Sequence, residues 1–241
     1  MNSKHLFERD YSQDSWRWSK IFETIKDHKV SYDYDEKLEK IQEEIIETKD
    51  VALAYFFACD FKYKTYRMQK IVLESGVAKY AFAFAENITP CDTKALQQVV
   101  INSNNLKYIC KFACCIAGAD RKKIESLIIK ADVAKYAHLM LKHSEVANFK
   151  KIKAVILKSK RPKYLFELAK HIKDVNEIKR IETLIIKSKS YLYIRLFAQK
   201  IKSANVKRLE KAVLASGNVK EIKKFARAVK SARMKNFSVM F

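Results

Sequence analysis

Apolar residues recur along this chain with the period of an α-helix. In the stretch SGVAKYAFAFAENI, residues 75–88, apolar and aromatic side chains occupy positions i, i+3, i+4, i+7, i+8 and i+11. This spacing places them on one face of a helix. Similar stretches begin at Ser103, Ser159 and Ser188. The pattern therefore predicts one kind of helix that is repeated along the chain.

A second set of apolar residues gives the length of the repeating unit. Apolar triplets begin at positions 71, 99, 127, 155, 184 and 212, which is a period of about 28 residues with one slightly longer step. Two residues after each triplet stands a Ser, replaced by Ala131 in the third copy. Five residues after the Ser position comes a Tyr, replaced by Glu221 in the last copy, and a Phe, Met or Leu follows four residues later. Such a regular period indicates tandem structural repeats.

Two columns of polar residues predict where the helices begin. Asp and Asn residues are expected to open a shorter helix that ends in the apolar triplet. These residues are Asp92, Asp120, Asn148, Asn176 and Asn205. The Ser column is expected to provide the N-cap of a second helix, which carries the Tyr and Phe columns. Each repeat is therefore predicted to be a helical hairpin.

Stacking of the hairpins determines the predicted fold. One hairpin of this size cannot bury both of its faces, and stacking on its neighbours builds a continuous core. We therefore predict an all-α fold, a right-handed α-solenoid of about seven stacked helical hairpins with an N-terminal capping helix. The expected divisions are an N-terminal cap and first repeat helix at 1–43, tandem repeats in a single solenoid domain at 44–233, and a C-terminal tail at 234–241.

The ends of the array are predicted to differ from its interior. A further copy fits upstream of the triplets, with Thr48 as its cap. Before it, the segment 14–28 has the pattern of a helix with Trp16 and Phe22 on its inner side. Because the end repeats of a solenoid need a different face, Trp16 and Trp18 are interpreted as core of the cap rather than as a platform for stacking on bases.

The net charge of +22 is concentrated in one part of the chain. Residues 1–50 carry 9 Lys and Arg against 13 Asp and Glu, and residues 51–120 carry 8 against 5. Residues 121–241 carry 32 against 9, a net charge of +23. Such a charge attracts a polyanion, an acidic protein surface or an anionic membrane.

Two columns of Lys are the candidate binding residues. One precedes the Tyr position and the other follows the apolar triplet; the members are Lys79, Lys107, Lys135, Lys163 and Lys220 in the first, and Lys130, Lys158 and Lys187 in the second. If neighbouring hairpins pack about 10 Å apart, these columns form ladders of positive charge that can follow a phosphate backbone. The alternative is that Lys is simply the solvent-facing position of a duplicated unit.

Catalytic and metal-binding patterns are not found in the sequence. Cys110, Cys114 and Cys115 include an i, i+4 pair, but no second Cys/His cluster completes a tetrahedral site, so they are interpreted as reduced thiols that pack in the core. His138 and His143 are five residues apart and project from different sides of a helix. There is no Gly-rich phosphate loop, GxSxG or HExxH motif. No catalytic residue, metal or cofactor is therefore predicted.

The distribution of apolar residues also bears on location. Crossing a membrane takes an uncharged apolar stretch of about 18 residues or more, and the sequence contains none. The N-terminal MNSKHLFERD has acidic residues where a signal peptide would be apolar. We therefore expect a soluble cytoplasmic protein with no membrane partner. The oligomeric state is left open.

The unit with its Ser, Tyr and Phe-Ala columns, as in SNNLKYICKFA, resembles the tandem helical repeats of proteins from large bacteriophages and giant DNA viruses. The resemblance covers residues 44–233 and implies a HEAT-like solenoid of viral origin, located in the host cell cytoplasm; it implies no catalytic residues. The chain is also similar, more weakly, to HEAT-like DNA glycosylases that recognise alkylated bases, which are basic, all-helical chains of about this size. Here the repeats expected to face DNA contain no Trp, and the pattern singles out no catalytic carboxylate.

Three functions are compatible with these observations. The first is a viral, non-catalytic protein that binds the backbone of DNA or RNA through its basic surface, without enzymatic activity. The second is a protein-interaction scaffold or viral inhibitor that binds an acidic host protein. The third is a DNA glycosylase of the HEAT-like kind. The first predicts a strong dependence on salt with little sequence preference, the second a stoichiometric protein complex, and the third the formation of abasic sites.

Overall fold

The structure, a computed structural model, describes residues 20–25, 33–143 and 146–229. Within these ranges every regular element is a helix. The first, α1, is described over 20–25. The others are α2 (Tyr34–Thr48), α3 (Val51–Phe61), α4 (Thr65–Ser75), α5 (Ala78–Asn87), α6 (Thr93–Asn102), α7 (Leu106–Cys115), α8 (Arg121–Ala131), α9 (Ala134–His143), α10 (Phe149–Ser159), α11 (Pro162–Ala169), α12 (Val175–Lys187), α13 (Tyr191–Lys200), α14 (Val206–Leu214) and α15 (Val219–Ala228). The predicted all-α class is confirmed.

The helices form two compact units, Met1–Asp120 and Arg121–Phe241. In each unit neighbouring helices pack as pairs, for example α4 with α5 and α10 with α11. We call the even-numbered helices from α2 to α14 the first helices and the odd-numbered helices from α3 to α15 the second helices. Second helices also pack on the next second helix of the same unit, so that each pair lies against its neighbour.

The predicted apolar columns form the core. The residue at the centre of each triplet is buried, as Val72, Val100 and Ile128 show. The Phe column is also buried in every copy; its members are Phe57, Phe84, Phe112, Met140, Leu168, Phe197 and Phe225. A bulky side chain from each second helix therefore fills the same place in each pair, which keeps the packing uniform along the unit.

The Ser column does not cap the second helices, and this prediction was wrong. Ser75 is the last residue of a first helix; its hydroxyl donates to the carbonyl of Val72 at 2.8 Å and accepts the N–H of Val77 at 3.2 Å. Ser188, at a helix C-cap, makes the same pair of bonds at 2.6 and 3.3 Å. The true N-caps lie two residues after the Ser position: Val77, Asn105, Arg161, Ser190 and Asn218. The hydroxyl therefore connects the end of one helix to the start of the next.

Most of the predicted caps of the first helices are confirmed. The side chains of Asp92, Asn148 and Asn205 each accept a backbone N–H in the first turn of their helix, at 3.0 to 3.2 Å, and Asp120 directly precedes α8. Asn176 is not a cap. The helix α12 begins earlier, because Asp174 accepts the N–H groups of Asn176 and Glu177 at 2.7 and 3.3 Å.

A column of buried polar residues was not anticipated from the sequence. It lies six residues before the Ser position and consists of Gln42, Gln69, Gln97, Glu125, Glu182 and Glu210. In four copies the side chain accepts a backbone N–H from the segment before the next first helix; Gln69, for example, accepts the N–H of Asp92 at 3.1 Å. In the copy between Glu125 and Glu182 the position is occupied by Lys153, which forms an ion pair with Glu177 at 2.5 Å. Within a unit, these contacts link a first helix to the next pair.

The Tyr column packs against the preceding second helix. In most copies the Tyr lies against the residue seven after the previous Ser position, as in Phe82–Tyr108 at 6.1 Å and His138–Tyr164 at 5.5 Å between ring centroids. In the last copy Glu221 replaces Tyr, and its partner is Arg195 at 3.9 Å instead of a ring. The exception in the repeat pattern is therefore matched by a change in its neighbour.

The ends of the chain are described only in part. Trp16, Trp18 and the proposed tail at 234–241 lie outside the described residues. In α1, Phe22 is buried, and its ring lies 5.3 Å from that of Phe61 between centroids. The division into cap, single solenoid domain and tail stays a prediction. No helix in the described ranges is both long enough and apolar enough to cross a membrane.

Candidate nucleic-acid interface

The eight predicted Lys residues all lie near the turns that join a first helix to its second helix. Lys130, Lys158 and Lys187 lie at the ends of first helices, and the other column lies in the first turns of second helices. All are exposed except Lys79, which is half-buried. In the second unit the turns therefore present six of these ammonium groups to solvent.

The Lys column beside Tyr follows the repeating unit itself. It is present in both units, and the ammonium groups of Lys79, Lys107 and Lys135 lie 5.2, 5.4 and 5.6 Å from the ring centroids of the neighbouring Tyr residues. Such cation–π contacts provide a structural reason for Lys at this position. This column is the weaker evidence for a ligand.

The Lys column at the ends of the first helices differs between the units. At the same position of the repeat, the first unit has Glu47, Glu74 and Asn102, whereas the second has Lys130, Lys158, Lys187 and Ala215. The helices end in the same way in both units, so packing does not require Lys there. A change from acidic to basic at an exposed position of a common structure is evidence for a difference in function.

The acidic groups of the second unit do not offset this charge at the surface. Eight Asp and Glu residues are described in 121–143 and 146–229, and three of them, Glu125, Glu182 and Glu210, are buried. Asp174 caps α12. The others form ion pairs with Lys or Arg; they are Asp132, Glu167, Glu177 and Glu221. Because these carboxylates are buried, capping or paired, the outer surface of the unit is strongly positive.

Three further cations lie in the same turns. All three are exposed: Lys160 and Arg161 stand between Lys158 and Lys163, and Lys189 stands two residues after Lys187. The segment KSKRPK, residues 158–163, thus carries four basic residues in six positions. These cations do not recur in every copy, so the periodic pattern did not identify them. Local charge density within a turn was the sequence signal that would have found them.

The thiols and imidazoles do not form a reactive cluster in the described part of the chain. Cys110 is buried, Cys114 is half-buried and Cys115 is exposed, so the interpretation of all three as core packing was wrong for Cys115. The hydrogen bond with Cys114, together with burial, raises the pKa of Cys110 and keeps its thiol protonated. Among the described residues no group of three or more His, Cys, Asp and Glu side chains could hold a metal ion.

Comparison with known proteins finds no matching family model, no matching curated protein and no matching solved structure. The resemblance to phage and giant-virus repeat proteins therefore stays a prediction. The candidate interface rests on the residues and contacts described above.

Proposed function

We propose that the second unit binds the phosphate backbone of DNA or RNA and performs no catalysis. The observation that carries the proposal is the reversal of charge at the ends of the first helices, from Glu47 and Glu74 to Lys130, Lys158 and Lys187 within one repeated structure. Lys160, Arg161 and Lys189 are further exposed cations in the same turns.

The proposed mechanism is electrostatic. We take the helix pairs to continue as a right-handed, HEAT-like solenoid of about seven hairpins, in which adjacent pairs lie about 10 Å apart. Three to four basic turns then extend over roughly 34 Å, which is one turn of duplex. Each contacted phosphate releases condensed counterions, so binding tolerates any sequence and weakens steeply with salt. A viral protein in the host cytoplasm would meet both DNA and RNA.

A triple charge reversal tests the proposal. Replacing Lys130, Lys158 and Lys187 with Glu removes three phosphate contacts and should reduce the slope of log K against log salt by about 2.7 for duplex DNA. The affinity for unrelated sequences should fall equally. Fluorescence anisotropy at several salt concentrations measures both quantities, and circular dichroism checks that helicity is kept.

The matched control uses exposed Lys residues on the first helices of the first unit. Lys40, Lys70 and Lys94 are replaced with Glu, which changes the net charge of the whole protein equally. This control should change the slope much less. Equal effects of the two triple variants, or no binding by the wild-type protein at low ionic strength, would contradict the proposal.

The two alternative functions predict different experimental results for the same purified protein. An acidic host protein as partner would remain bound to the second unit after nuclease treatment, in a fixed stoichiometry. A glycosylase would release alkylated bases from duplex DNA. Either result, in the absence of general binding to nucleic acid, would replace the proposed function.

A further inference from the structure

A second set of cations distinguishes the first helices of the second unit. Eight and nine residues before the Ser position, each of these helices carries two adjacent basic residues. They are Lys122 and Lys123, Lys150 and Lys151, Lys179 and Arg180, and Lys207 and Arg208, all of them exposed. We call the second member of each pair, Lys123, Lys151, Arg180 and Arg208, the paired-cation row. The same two positions in the first unit have Glu39 and Lys40, Tyr66 and Arg67, and Lys94 and Ala95.

The location of these cations is unfavourable for the helices that carry them. In α8, α10 and α14 the two basic residues are the second and third residues of the helix. The N-terminal turn of a helix carries partial positive charge from its unpaired N–H groups and prefers acidic side chains. A basic pair kept at this point in three helices of one unit opposes local stability and therefore points to a ligand of negative charge.

The paired-cation row lies on the same helix face as the Lys at the helix end. Lys123 and Lys130 are seven residues apart, as are Lys151 and Lys158. Two side chains seven residues apart on an α-helix point in directions that differ by about 20°, and they are separated by about 10.5 Å along the helix axis. Arg180 and Lys187 repeat this spacing on α12. We call Lys130, Lys158 and Lys187 the turn row, so that two rows of cations run about 10 Å apart across neighbouring first helices.

Short side chains lie between the two rows. Three residues after Lys123, Lys151 and Arg180 stand Ser126, Ala154 and Thr183, in that order along the chain, whereas the exposed Lys211 stands three residues after Arg208. Ser126 and Ala154 are exposed and Thr183 is half-exposed. A ligand with two charged edges could therefore approach the helices closely between the rows.

Two of these cations already contact polar or acidic groups of the protein. The guanidinium of Arg208 donates to Glu182 Oε1 at 3.3 Å and to Thr183 Oγ1 at 3.0 Å, which leaves further N–H donors of its fork for a ligand. Lys158 in the turn row forms an ion pair with Asp132, so we expect it to contribute less than Lys130 or Lys187.

We propose that this face of the first helices binds double-stranded nucleic acid, with one backbone on the paired-cation row and the other on the turn row. A single strand has one line of phosphates and needs one row. A duplex presents two lines across grooves about 6 and 12 Å wide, which two rows about 10 Å apart can contact together. The proposal rests on the proposed function. It adds the class of nucleic acid and assigns the paired-cation row as a second row of phosphate contacts.

Two matched triple variants test the assignment. The first replaces Lys123, Lys151 and Arg180 with Gln, and the second replaces the turn row, Lys130, Lys158 and Lys187, with Gln. Each is titrated with a duplex and with a single strand of the same length and sequence over a range of salt. Replacement of Lys40, Lys70 and Lys94 with Gln is the control, and circular dichroism verifies the fold of each variant.

We expect the wild-type protein to prefer the duplex, and each of the two variants to lower the salt slope for duplex by up to about 2.7. Combining the two should lower it by up to about 5.4, since the contacts are on different strands. If only the turn-row variant weakens duplex binding, the paired-cation row does not contact the ligand; the duplex assignment is then wrong and the proposed function stands. A wild-type preference for the single strand overturns the duplex assignment, and a failure of both variants to change binding overturns both proposals.

Discussion

Replacing Glu125 with Ala tests the buried polar column that links neighbouring helix pairs. Glu125 is only 3% exposed, and its carboxylate accepts the N–H of Ala147 at 2.8 Å and the N–H of Asn148 at 2.7 Å. Ala removes both acceptors at once. The two N–H groups lie at the start of the next first helix, so the substitution should loosen the contact between pairs rather than a single helix.

The expected loss of stability follows from the two hydrogen bonds. A hydrogen bond to a charged group contributes about 1.5 to 3 kcal/mol. Ala147 is exposed and its N–H can be hydrated after the substitution, whereas removal of a buried charge is itself favourable. The two bonds together contribute about 3 to 6 kcal/mol, and because both of these effects offset part of that contribution, we expect a smaller net loss of about 2 kcal/mol. Gln at this position, as in Gln69 and Gln97, keeps one acceptor and should cost about half as much.

Urea unfolding measures this effect. For an m value of about 2 kcal/mol/M, a loss of about 2 kcal/mol lowers the midpoint of the second unit by about 1 M. Ser126→Ala is the control, because Ser126 is the next residue and its hydroxyl donates at an exposed site to the carbonyl of Lys122 at 3.0 Å. If Glu125→Ala and Ser126→Ala shift the midpoint equally, the buried bonds do not stabilise the stacking and the reasoning is refuted.

Three further predictions use the same unfolding assay. Phe112→Ala should cost about 3 to 5 kcal/mol because the side chain is fully buried, whereas replacement of the exposed Tyr66 with Ala should change little. Ser188→Ala should cost about 1 kcal/mol through the loss of its two hydrogen bonds, and Ala131→Ser should recover a similar amount where the third copy lacks the hydroxyl. Burial lowers the pKa of His138, with Glu167 opposing, so the unfolded chain binds a proton near its usual pKa of about 6.5 before the folded chain does. The unfolding free energy should therefore fall as the pH is lowered from 7.5 to 5.5, and less so in His138→Phe; equal slopes in the two proteins would show that His138 stays solvated.

Much of the fold was evident from the sequence, because repeated helices must bury the same positions in every copy. The regular period identified the triplets and the Phe column, and the centre of each triplet and the Phe column are buried in the structure. The class of fold and most of the first-helix caps followed from the same period, since capping by Asp and Asn depends on only a few adjacent residues.

The candidate site was recovered only in part from the sequence. The turn row was recognised by its period, but the column beside Tyr gave an equally strong periodic signal for a local reason, its contact with the neighbouring ring. The paired-cation row recurs with the same period, yet it could be assigned to a face shared with the turn row only when the starts and ends of α8, α10 and α12 were defined.

The sequence by itself determined which residues repeat, and hence the helices and their apolar faces. Tertiary structure decided what the repeated polar residues do, because a hydrogen-bond partner in the next helix pair is not encoded in local spacing. Ser75 thus joins two helices instead of capping one, and Glu125 and Glu182 are buried acceptors instead of surface charges. Because these carboxylates are buried, few acidic groups remain at the surface of the second unit to balance its exposed basic residues.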